Sequence, residues 1–254
     1  MSKYTDKLVM ILVLVVVVMA FGMGAMWSKL QTIGQASQAK QADQATQAKP
    51  AQPKVDINTI KGLWDKNVIK FGDANKKNLL VEIADPSCPY CHAAAGLNPE
   101  LSGQIGPQFK LVADGGTYVA PVLEMKKLVD SGKAAFVWIY TPGHGNGEMG
   151  TKALYCAFDQ GKFWEAHDKL MTNKGYSLIN DTIKNDKTKS QELVDFLGMP
   201  ALKECLDSGK YDARLGEDTQ LAGSLGVSGT PGFFVNETKF AGAYSWNDMQ
   251  SALK

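Results

Sequence analysis

The sequence predicts an α/β domain in which strands lie on both sides of a block of helices. Two short and mostly apolar runs, residues 79–84 and 135–140, are typical of strands that a sheet buries on both faces. Residues 232–235 and 238–240 are a second pair of strand-like segments, and the tight connection between them predicts a hairpin. Residues between the two pairs mostly follow a helical pattern. We therefore expect a sheet built from both ends of the domain, with helices in the middle.

A further strand, a final helix and the separate helices of the central block complete the predicted elements. The strand is predicted at residues 68–71 and the final helix at residues 246–253. The helices of the block are predicted at residues 151–171, 190–197, 201–207 and 212–225.

The composition is that of an ordinary globular protein, with 44% hydrophobic and 21% charged residues in a chain of 254. The formal net charge is +1, from 27 Lys and Arg against 26 Asp and Glu. A chain this close to neutrality has no basic field to collect phosphate groups, so nucleic acid is not expected as a partner.

An uncharged apolar run at residues 8–27, preceded by Lys3 and Lys7, is read as an export element. Twenty helical residues at about 1.5 Å each reach about 30 Å, the hydrocarbon thickness of a bilayer, and the upstream lysines favour a cytoplasmic amino terminus. We therefore expect residues 1–27 to be a signal anchor, giving a single-pass protein whose remaining chain lies outside. A cleaved signal peptide, which would leave a secreted domain, stays open as the alternative because small residues lie near the end of the run.

Residues 28–54 change abruptly to a tract rich in Gln, Ala and Lys. The tract has too few large apolar side chains to build a core, so it is interpreted as a linker between the anchor and a domain that spans residues 55–254.

The motif SCPYCH at residues 87–92 is the strongest chemical signal. Its two cysteines follow a predicted strand and fall on the first turn of a predicted helix that starts among the prolines of residues 86–89. The helix macrodipole and the free amide groups there favour a negative sulfur. Cys88 is therefore expected to have a lowered pKa and to act as the nucleophile, and Cys91 is expected to be the more buried thiol.

Three stretches of the chain resemble the DsbA-like branch of the thioredoxin superfamily: LVEIADPSCPYC, CAFDQGKFWEAHDKL and LGVSGTPGFFVN. The resemblance runs from about residue 68 to the end. It implies a thioredoxin fold with an inserted helical domain at about residues 143–220. Residues 97–121 depart from the family pattern, because this stretch is longer and richer in Gly and Pro than usual, and the shape of the substrate groove is therefore left open.

The resemblance also implies roles for individual residues. Cys88 and Cys91 match the catalytic pair, and Glu82 matches a buried acid that tunes and deprotonates the second cysteine. Pro231 matches a cis-proline that faces the disulfide, with Thr230 before it.

The candidate substrate-binding set comprises residues beside the cysteine pair and the segment that faces it: Pro89, Tyr90, His92, Thr230 and Pro231. For His92, a residue on the helix surface with no task is an equal alternative. The Thr230-Pro231 segment is expected to offer backbone groups to an extended peptide.

The implied activity is the formation of disulfides in reduced or unfolded exported proteins, by exchange through a mixed disulfide. Turnover then requires re-oxidation, for which the resemblance suggests a quinone-coupled membrane oxidase of the DsbB or VKOR type. No cofactor and no metal are expected, and the protein is expected to be a monomer. Isomerase and reductase activity of the same fold stay open.

Alternatives from three other classes remain: a c-type haem protein, a zinc-binding module and a peptide-binding chaperone. CxxCH is the attachment signature of c-type haem, and Cys88, Cys91 and His92 are also three of the four ligands that a zinc site needs. The chaperone alternative is a tethered domain that binds peptides in the same groove without redox turnover.

Cys156 and Cys205 are the two cysteines outside the motif. A structural disulfide within the helical block and a pair of buried free thiols are both compatible with the sequence, and the disulfide is the tentative assignment.

Overall fold

A five-stranded sheet organises residues 52–254, which are the residues that this computed structural model describes. The strands are β1 (Ile69–Phe71), β2 (Asn78–Ala84), β3 (Ala134–Tyr140), β4 (Gly232–Val235) and β5 (Thr238–Ala241). Their order across the sheet is β1-β3-β2-β4-β5. β2 and β3 are parallel, and every other neighbouring pair is antiparallel.

Eleven α-helices surround this sheet among the described residues. They are α1 (Ile57–Lys61), α2 (Pro89–Ala95), α3 (Pro99–Ile105), α4 (Pro121–Asp130), α5 (Glu148–Asp159), α6 (Phe163–Leu170), α7 (Asn173–Ser177), α8 (Ser190–Leu197), α9 (Leu202–Asp207), α10 (Asp212–Ser224) and α11 (Trp246–Met249). Short 3-10 turns lie at Gly62–Asp65, Pro107–Phe109, Val112–Asp114, Lys187–Lys189 and Gln250–Ala252, and a π-helical turn lies at Leu178–Ile183.

The two faces of the sheet bury different sets of side chains because successive residues of a strand point to opposite faces. Leu80, Phe136 and Phe233 belong to the core that also contains α2 and the helical block. Val81 and Phe234 belong to the core on the other face, which is covered by α1 and α10. β2 and β3 are buried along their whole length, which explains why both are nearly continuous apolar runs.

The single helix predicted at residues 151–171 is wrong, because the structure has two helices there. α5 ends at Asp159 and α6 begins at Phe163. Gly161 between them has φ 69°, a left-handed conformation that a helix cannot continue through. The apolar pattern continues across the break because both helices face the same core, so the periodicity did not reveal it.

Residues 97–121 are folded rather than open loop. They contain α3, two 3-10 turns and a bridge that pairs Leu111 with Tyr118. Pro99 begins α3 and Pro107 begins the turn that follows, so the prolines mark element starts in this segment.

A disulfide joins Cys156 on α5 to Cys205 on α9, across a sequence separation of 49 residues. Cys156 is buried and Cys205 is partly buried against the same core. The bond therefore ties two helices of the central block together.

The domain begins slightly earlier than the sequence predicts. Lys54, expected to belong to the linker, pairs with Thr238 of β5, and the carbonyl oxygen of Pro53 accepts a hydrogen bond from the amide of Lys239. The expected anchor at residues 8–27 lies outside the described residues. Within residues 52–254, no helix has the length and apolar character needed to cross a bilayer.

Candidate active site

The two cysteines of the motif lie at the start of α2, directly after the turn that follows β2. Cys88 is the N-cap residue of the helix and Pro89 is its first residue. The carbonyl oxygen of Cys88 accepts hydrogen bonds from the amides of Cys91 and His92. Because proline has no amide hydrogen to leave unpaired, Pro89 suits the first position of the helix.

The two sulfur atoms have opposite environments. Both cysteines are free thiols, and Cys88 is 3% exposed whereas Cys91 is fully buried. The pKa of Cys88 is lowered to about 7, above all by a hydrogen bond from Cys91, with further help from the Thr230 side chain and the amides of the helix start. Burial raises the pKa of Cys91 well above its usual value, and the neighbouring Cys88 raises it further. Near neutral pH Cys88 is therefore partly ionised to the thiolate, whereas Cys91 stays a thiol.

The segment Thr230-Pro231 faces Cys88, and its peptide bond is cis. The Cys88 thiol donates a hydrogen bond of 3.4 Å to the carbonyl oxygen of Thr230. A surface depression of about 310 Å³ runs beside this segment, lined by residues 226–231 and by Lys239, Ala241 and Gly242.

Glu82 lies on β2, on the sheet face that carries α2. It is fully buried, and neither carboxyl oxygen has a hydrogen-bond partner among the described residues. Burial raises its pKa to about 8, so the carboxyl group is protonated at neutral pH. Its charge, when present, is one of the influences that raise the pKa of Cys91, which places it close to the second sulfur.

Tyr90, between the two cysteines, is 44% exposed and is the first ring of an aromatic series at the edge of the site. Its ring meets that of Phe109 edge to face at 5.5 Å, and Phe109 meets Tyr118 in the same way at 5.6 Å. A second depression, of about 340 Å³, is lined by Phe109, Tyr118, residues 241–245, Gln108 and Asp248. Residues 97–121 therefore supply part of the lining of this depression, and Phe109 connects it to Tyr90 of the cysteine motif.

His92 does not contact the surface of the site, so the prediction that it binds substrate is wrong, as is the alternative that it lies on the helix surface. Its side chain is fully buried, with Nε2 2.9 Å from the carbonyl oxygen of Pro86 and Nδ1 3.0 Å from that of Met171. Burial lowers the pKa of His92 to about 4, so the ring is neutral. The position after Cys91 points inward because this side of α2 packs against the turn between α6 and α7.

Asp85 is a central residue of the site that the sequence reasoning missed. Its fully buried carboxylate accepts four hydrogen bonds, from the amide and hydroxyl of Ser87 and from the amides of Gly143 and His144. The available signal was an Asp-Pro-Ser turn followed at a distance by a glycine-rich loop, two features that only the fold brings together.

No three His, Cys, Asp or Glu side chains within residues 52–254 are arranged to hold a metal ion. The carbonyl groups of Pro86 and Met171 occupy both ring nitrogens of His92, which turns this residue away from the sulfur atoms.

Comparison with solved structures shows the same fold in three bacterial proteins. These are α-DsbA1 of Wolbachia pipientis (20% identity, 73% of this chain, 88% of that chain, TM-score 0.54), a periplasmic thioredoxin-like protein of Salmonella enterica serovar Typhimurium (18%, 77%, 94%, 0.51) and a thioredoxin-like oxidoreductase of Silicibacter pomeroyi (21%, 76%, 94%, 0.50).

Two curated relatives match part of the chain. They are the Na(+)/H(+) antiporters NhaA 3 of Salinispora tropica and NhaA 1 of Salinispora arenicola, each 28% identical over 177 residues. The match covers 68% of this chain and 22% of each antiporter, so the chain spans about a fifth of the length of these relatives.

A family model described as Thioredoxin matches residues 120–254, which is 135 of 254 residues. The matched part contains the Thr230-Pro231 segment and ends with the chain, while the cysteine pair precedes it. The structure joins the two parts in one sheet, with β2 paired to β4. The predicted resemblance is confirmed: the chain belongs to the thioredoxin family, among the proteins with the fold of DsbA-like thiol-disulfide oxidoreductases.

Proposed function

We propose that this protein is an extracytoplasmic thiol-disulfide oxidoreductase that forms disulfides in exported proteins through Cys88 and Cys91. One observation carries the proposal, namely the asymmetry of the two sulfur atoms. Cys88 has its pKa lowered to about 7 and keeps a small exposed fraction of 3%, whereas Cys91 is fully buried and holds its proton because its pKa is raised. A pair that exchanges disulfides needs one sulfur that leaves and re-attacks easily and a second that resolves the bond from inside.

The exchange begins from the enzyme disulfide. A substrate thiolate attacks Sγ of Cys88, the Cys88–Cys91 bond breaks, and Cys91 leaves and takes up a proton because its pKa is high. The second substrate thiolate then attacks the substrate sulfur of the mixed disulfide. A substrate disulfide forms, Cys88 leaves as a thiolate, and two electrons have passed to the enzyme.

The protonated Glu82 supports these reaction steps from the buried side of the cysteine pair, near Cys91. A neutral carboxyl group near Cys91 can give a proton to the leaving sulfur and take it back during re-oxidation, without placing a permanent negative charge in the core. Thr230 and Pro231 support the reaction at Cys88, because their backbone groups lie beside this residue and can hold an extended peptide.

The location outside the cytoplasm is supported by the second pair of cysteines. A disulfide between Cys156 and Cys205 persists in oxidising compartments and is rare where glutathione keeps thiols reduced. Together with the apolar run at residues 8–27 and the linker after it, this supports a catalytic domain tethered to the outer face of a membrane, and we propose that the domain acts as a monomer. A quinone-coupled membrane oxidase is the proposed re-oxidant.

The c-type haem alternative is disfavoured by the environment of CxxCH. Both ring nitrogens of His92 face backbone carbonyl groups inside the protein, so this histidine is not presented to an iron atom. The vestigial chaperone alternative is disfavoured by two intact, differently tuned thiols.

The proposal is tested with a reduced two-cysteine peptide and the oxidised full-length protein. Wild-type protein should oxidise the peptide stoichiometrically, Cys88→Ala should not react, and Cys91→Ala should trap a mixed disulfide when the peptide carries an activated disulfide. A Cys88→Ala variant with full activity would refute the assignment.

The direction of the reaction is assigned by the equilibrium of the pair with glutathione. A potential more oxidising than roughly −200 mV supports disulfide formation, whereas one more reducing than roughly −250 mV would make the protein a reductase of the same fold.

A further inference from the structure

The glycine-rich loop at residues 142–147 follows β3 and touches both the cysteine turn and the Thr230-Pro231 segment. A Cβ atom added at Gly143 would overlap the hydroxyl oxygen of Thr230 and lie 3.3 Å from Cβ of Cys88. A Cβ atom added at Gly147 would overlap Oδ1 of Asp85. The loop thus fits against the site so closely that two of its positions have no room for a side chain.

Asp85 holds this loop in place. Oδ2 of its carboxylate accepts hydrogen bonds from the amides of Gly143 at 2.7 Å and His144 at 3.0 Å. Oδ1 accepts two bonds of 2.7 Å from the amide and hydroxyl of Ser87, the residue before Cys88. One carboxylate therefore joins the loop to the turn that presents the nucleophilic sulfur.

The bonding pattern requires a carboxylate rather than an amide. All four groups around Asp85 are used as donors, and an ionised carboxylate has only acceptors. An asparagine in either orientation would point its own NH₂ group at one pair of donors. It would release the loop or the Ser87 turn.

On its other side, the loop lies against the Thr230 hydroxyl. This oxygen is buried and has no hydrogen-bond partner among the described residues, so its donor is unused in a position beside Cys88. The Thr230 side chain is also one of the groups that lower the pKa of Cys88. Gly143 packs directly against this hydroxyl, on the same side as Cys88.

We infer that Asp85 is a positioning residue that acts through Gly143: it holds the loop against Thr230, and the loop keeps the Thr230 hydroxyl directed at the Cys88 sulfur. Asp85 does not touch the reacting sulfur of Cys88 through its carboxylate. The inference rests on the proposed function only in taking Cys88 as the exchanging sulfur.

The test measures the thiolate of Cys88 directly. The rate of iodoacetamide alkylation at Cys88 is followed against pH in reduced full-length protein, with mass spectrometry to locate the label. The wild-type midpoint is expected at about pH 7. The titratable groups that act on Cys88 or on its partner sulfur are Cys91 and Tyr176 at Cys88, and Glu82 and Tyr118 at Cys91, while Asp85 is bonded to Ser87, the residue before Cys88.

Asp85→Asn distinguishes a positioning role of Asp85 from a simple charge effect, because the two shift the pH midpoint of Cys88 alkylation in opposite directions. Removal of a nearby negative charge would lower the midpoint, since a thiolate forms more easily without it. Loss of the directed hydroxyl would raise it. The inference expects an increase of about one pH unit, the size of one charge-assisted hydrogen bond. A decrease or an unchanged midpoint in folded protein would overturn it.

A double-variant comparison then tests the route through Thr230. Thr230→Val should raise the midpoint by itself, Thr230→Ser should keep it low, and adding Asp85→Asn to Thr230→Val should produce no further change. Additive shifts would mean that Asp85 acts independently of the hydroxyl, which contradicts the inference.

Gly143→Ala keeps the test decisive if Asp85→Asn does not fold. This variant retains Asp85 but displaces the Thr230 hydroxyl, so it should raise the midpoint as well, and an unchanged value would reject the mechanism. Asp73→Asn is the matched control, because Asp73 accepts an amide hydrogen bond from Asn75 in an exposed turn away from the site. Alkylation requires no exchange activity, so these shifts remain measurable even if peptide oxidation fails.

Discussion

Nε2 of His92 lies 2.9 Å from the carbonyl oxygen of Pro86, which joins the residue after the second cysteine to the turn before the first. Nδ1 of the same ring faces the carbonyl oxygen of Met171 at 3.0 Å and the side-chain amide nitrogen of Asn98 at 3.5 Å. Pro86 precedes the cysteine pair and His92 follows it, so the contact between these two residues holds the segment that carries both cysteines. His92 supports the geometry of the site from inside rather than meeting substrate.

Replacement of His92 by Leu should destabilise the protein by about 2 kcal/mol, because the buried carbonyl groups of Pro86 and Met171 lose the ring that supplies one of them with a donor. Urea unfolding monitored by circular dichroism measures the change. His144→Leu is the control, since the His144 side chain is exposed and its expected effect is within about 0.5 kcal/mol. Equal stability of the His92 variant and the wild type would show that the buried ring contributes no net stabilisation.

Glu82→Gln should make the stability of the protein less dependent on pH. The pKa of Glu82 is raised from 4.5 to about 8 by burial, so its contribution is complete below pH 4.5 and is lost as the pH rises through 8. The variant cannot ionise, and it should gain relative stability between pH 5 and pH 8, at most on the order of 4 kcal/mol. Urea unfolding at both pH values gives this difference.

Glu192→Gln is the matched control for that measurement, because Glu192 is an exposed residue in the first turn of α8. It should follow the wild-type pH dependence. If Glu82→Gln does the same, Glu82 is not protonated in the folded protein.

Alkylation of the native dithiol should be selective between the two cysteines. Cys88 should react with a midpoint of about pH 7 and reach a plateau above it, because only the thiolate reacts. Cys91 is fully buried and its pKa is raised, so it should be labelled only after unfolding. Mass spectrometry of timed samples locates the label, and early labelling of Cys91 would contradict the assigned order of the two sulfurs.

Loss of the second disulfide should lower stability without changing the site. Replacing Cys156 and Cys205 together by Ala opens a loop of 49 residues, for which the chain-entropy model gives about 4 kcal/mol. The midpoint of Cys88 alkylation should stay at its wild-type value. A shift of that midpoint would show that the helical block is coupled to the sulfur, and an unchanged unfolding free energy would show that the bond does not stabilise the fold.

The sequence predicts well those parts of the fold that depend on local pattern. β2 and β3 are fully buried, so their apolar runs are visible, and Pro89 marks the start of α2. The cysteine pair is equally visible because its four residues are contiguous. The helix break at Gly161 is not visible in the sequence, since the two helices on either side of it share one core and keep one apolar periodicity.

The parts of the site that sequence reasoning missed depend on contacts between distant segments. Asp85 meets Gly143 and His144 only because β2 and β3 are parallel neighbours whose carboxyl ends lie at the same edge of the sheet. His92 turns inward because α2 packs against the residues around Met171, 79 positions along the chain. Neither relationship leaves a periodic or contiguous trace.

An isolated bridge between Lys54 and Thr238 covers the beginning of β5 on its outer side. An exposed strand edge is a template on which other chains can assemble. Because residues 53–55 already bond to the turn before β5 and to its first two residues, a second chain has less of this edge left to extend the sheet.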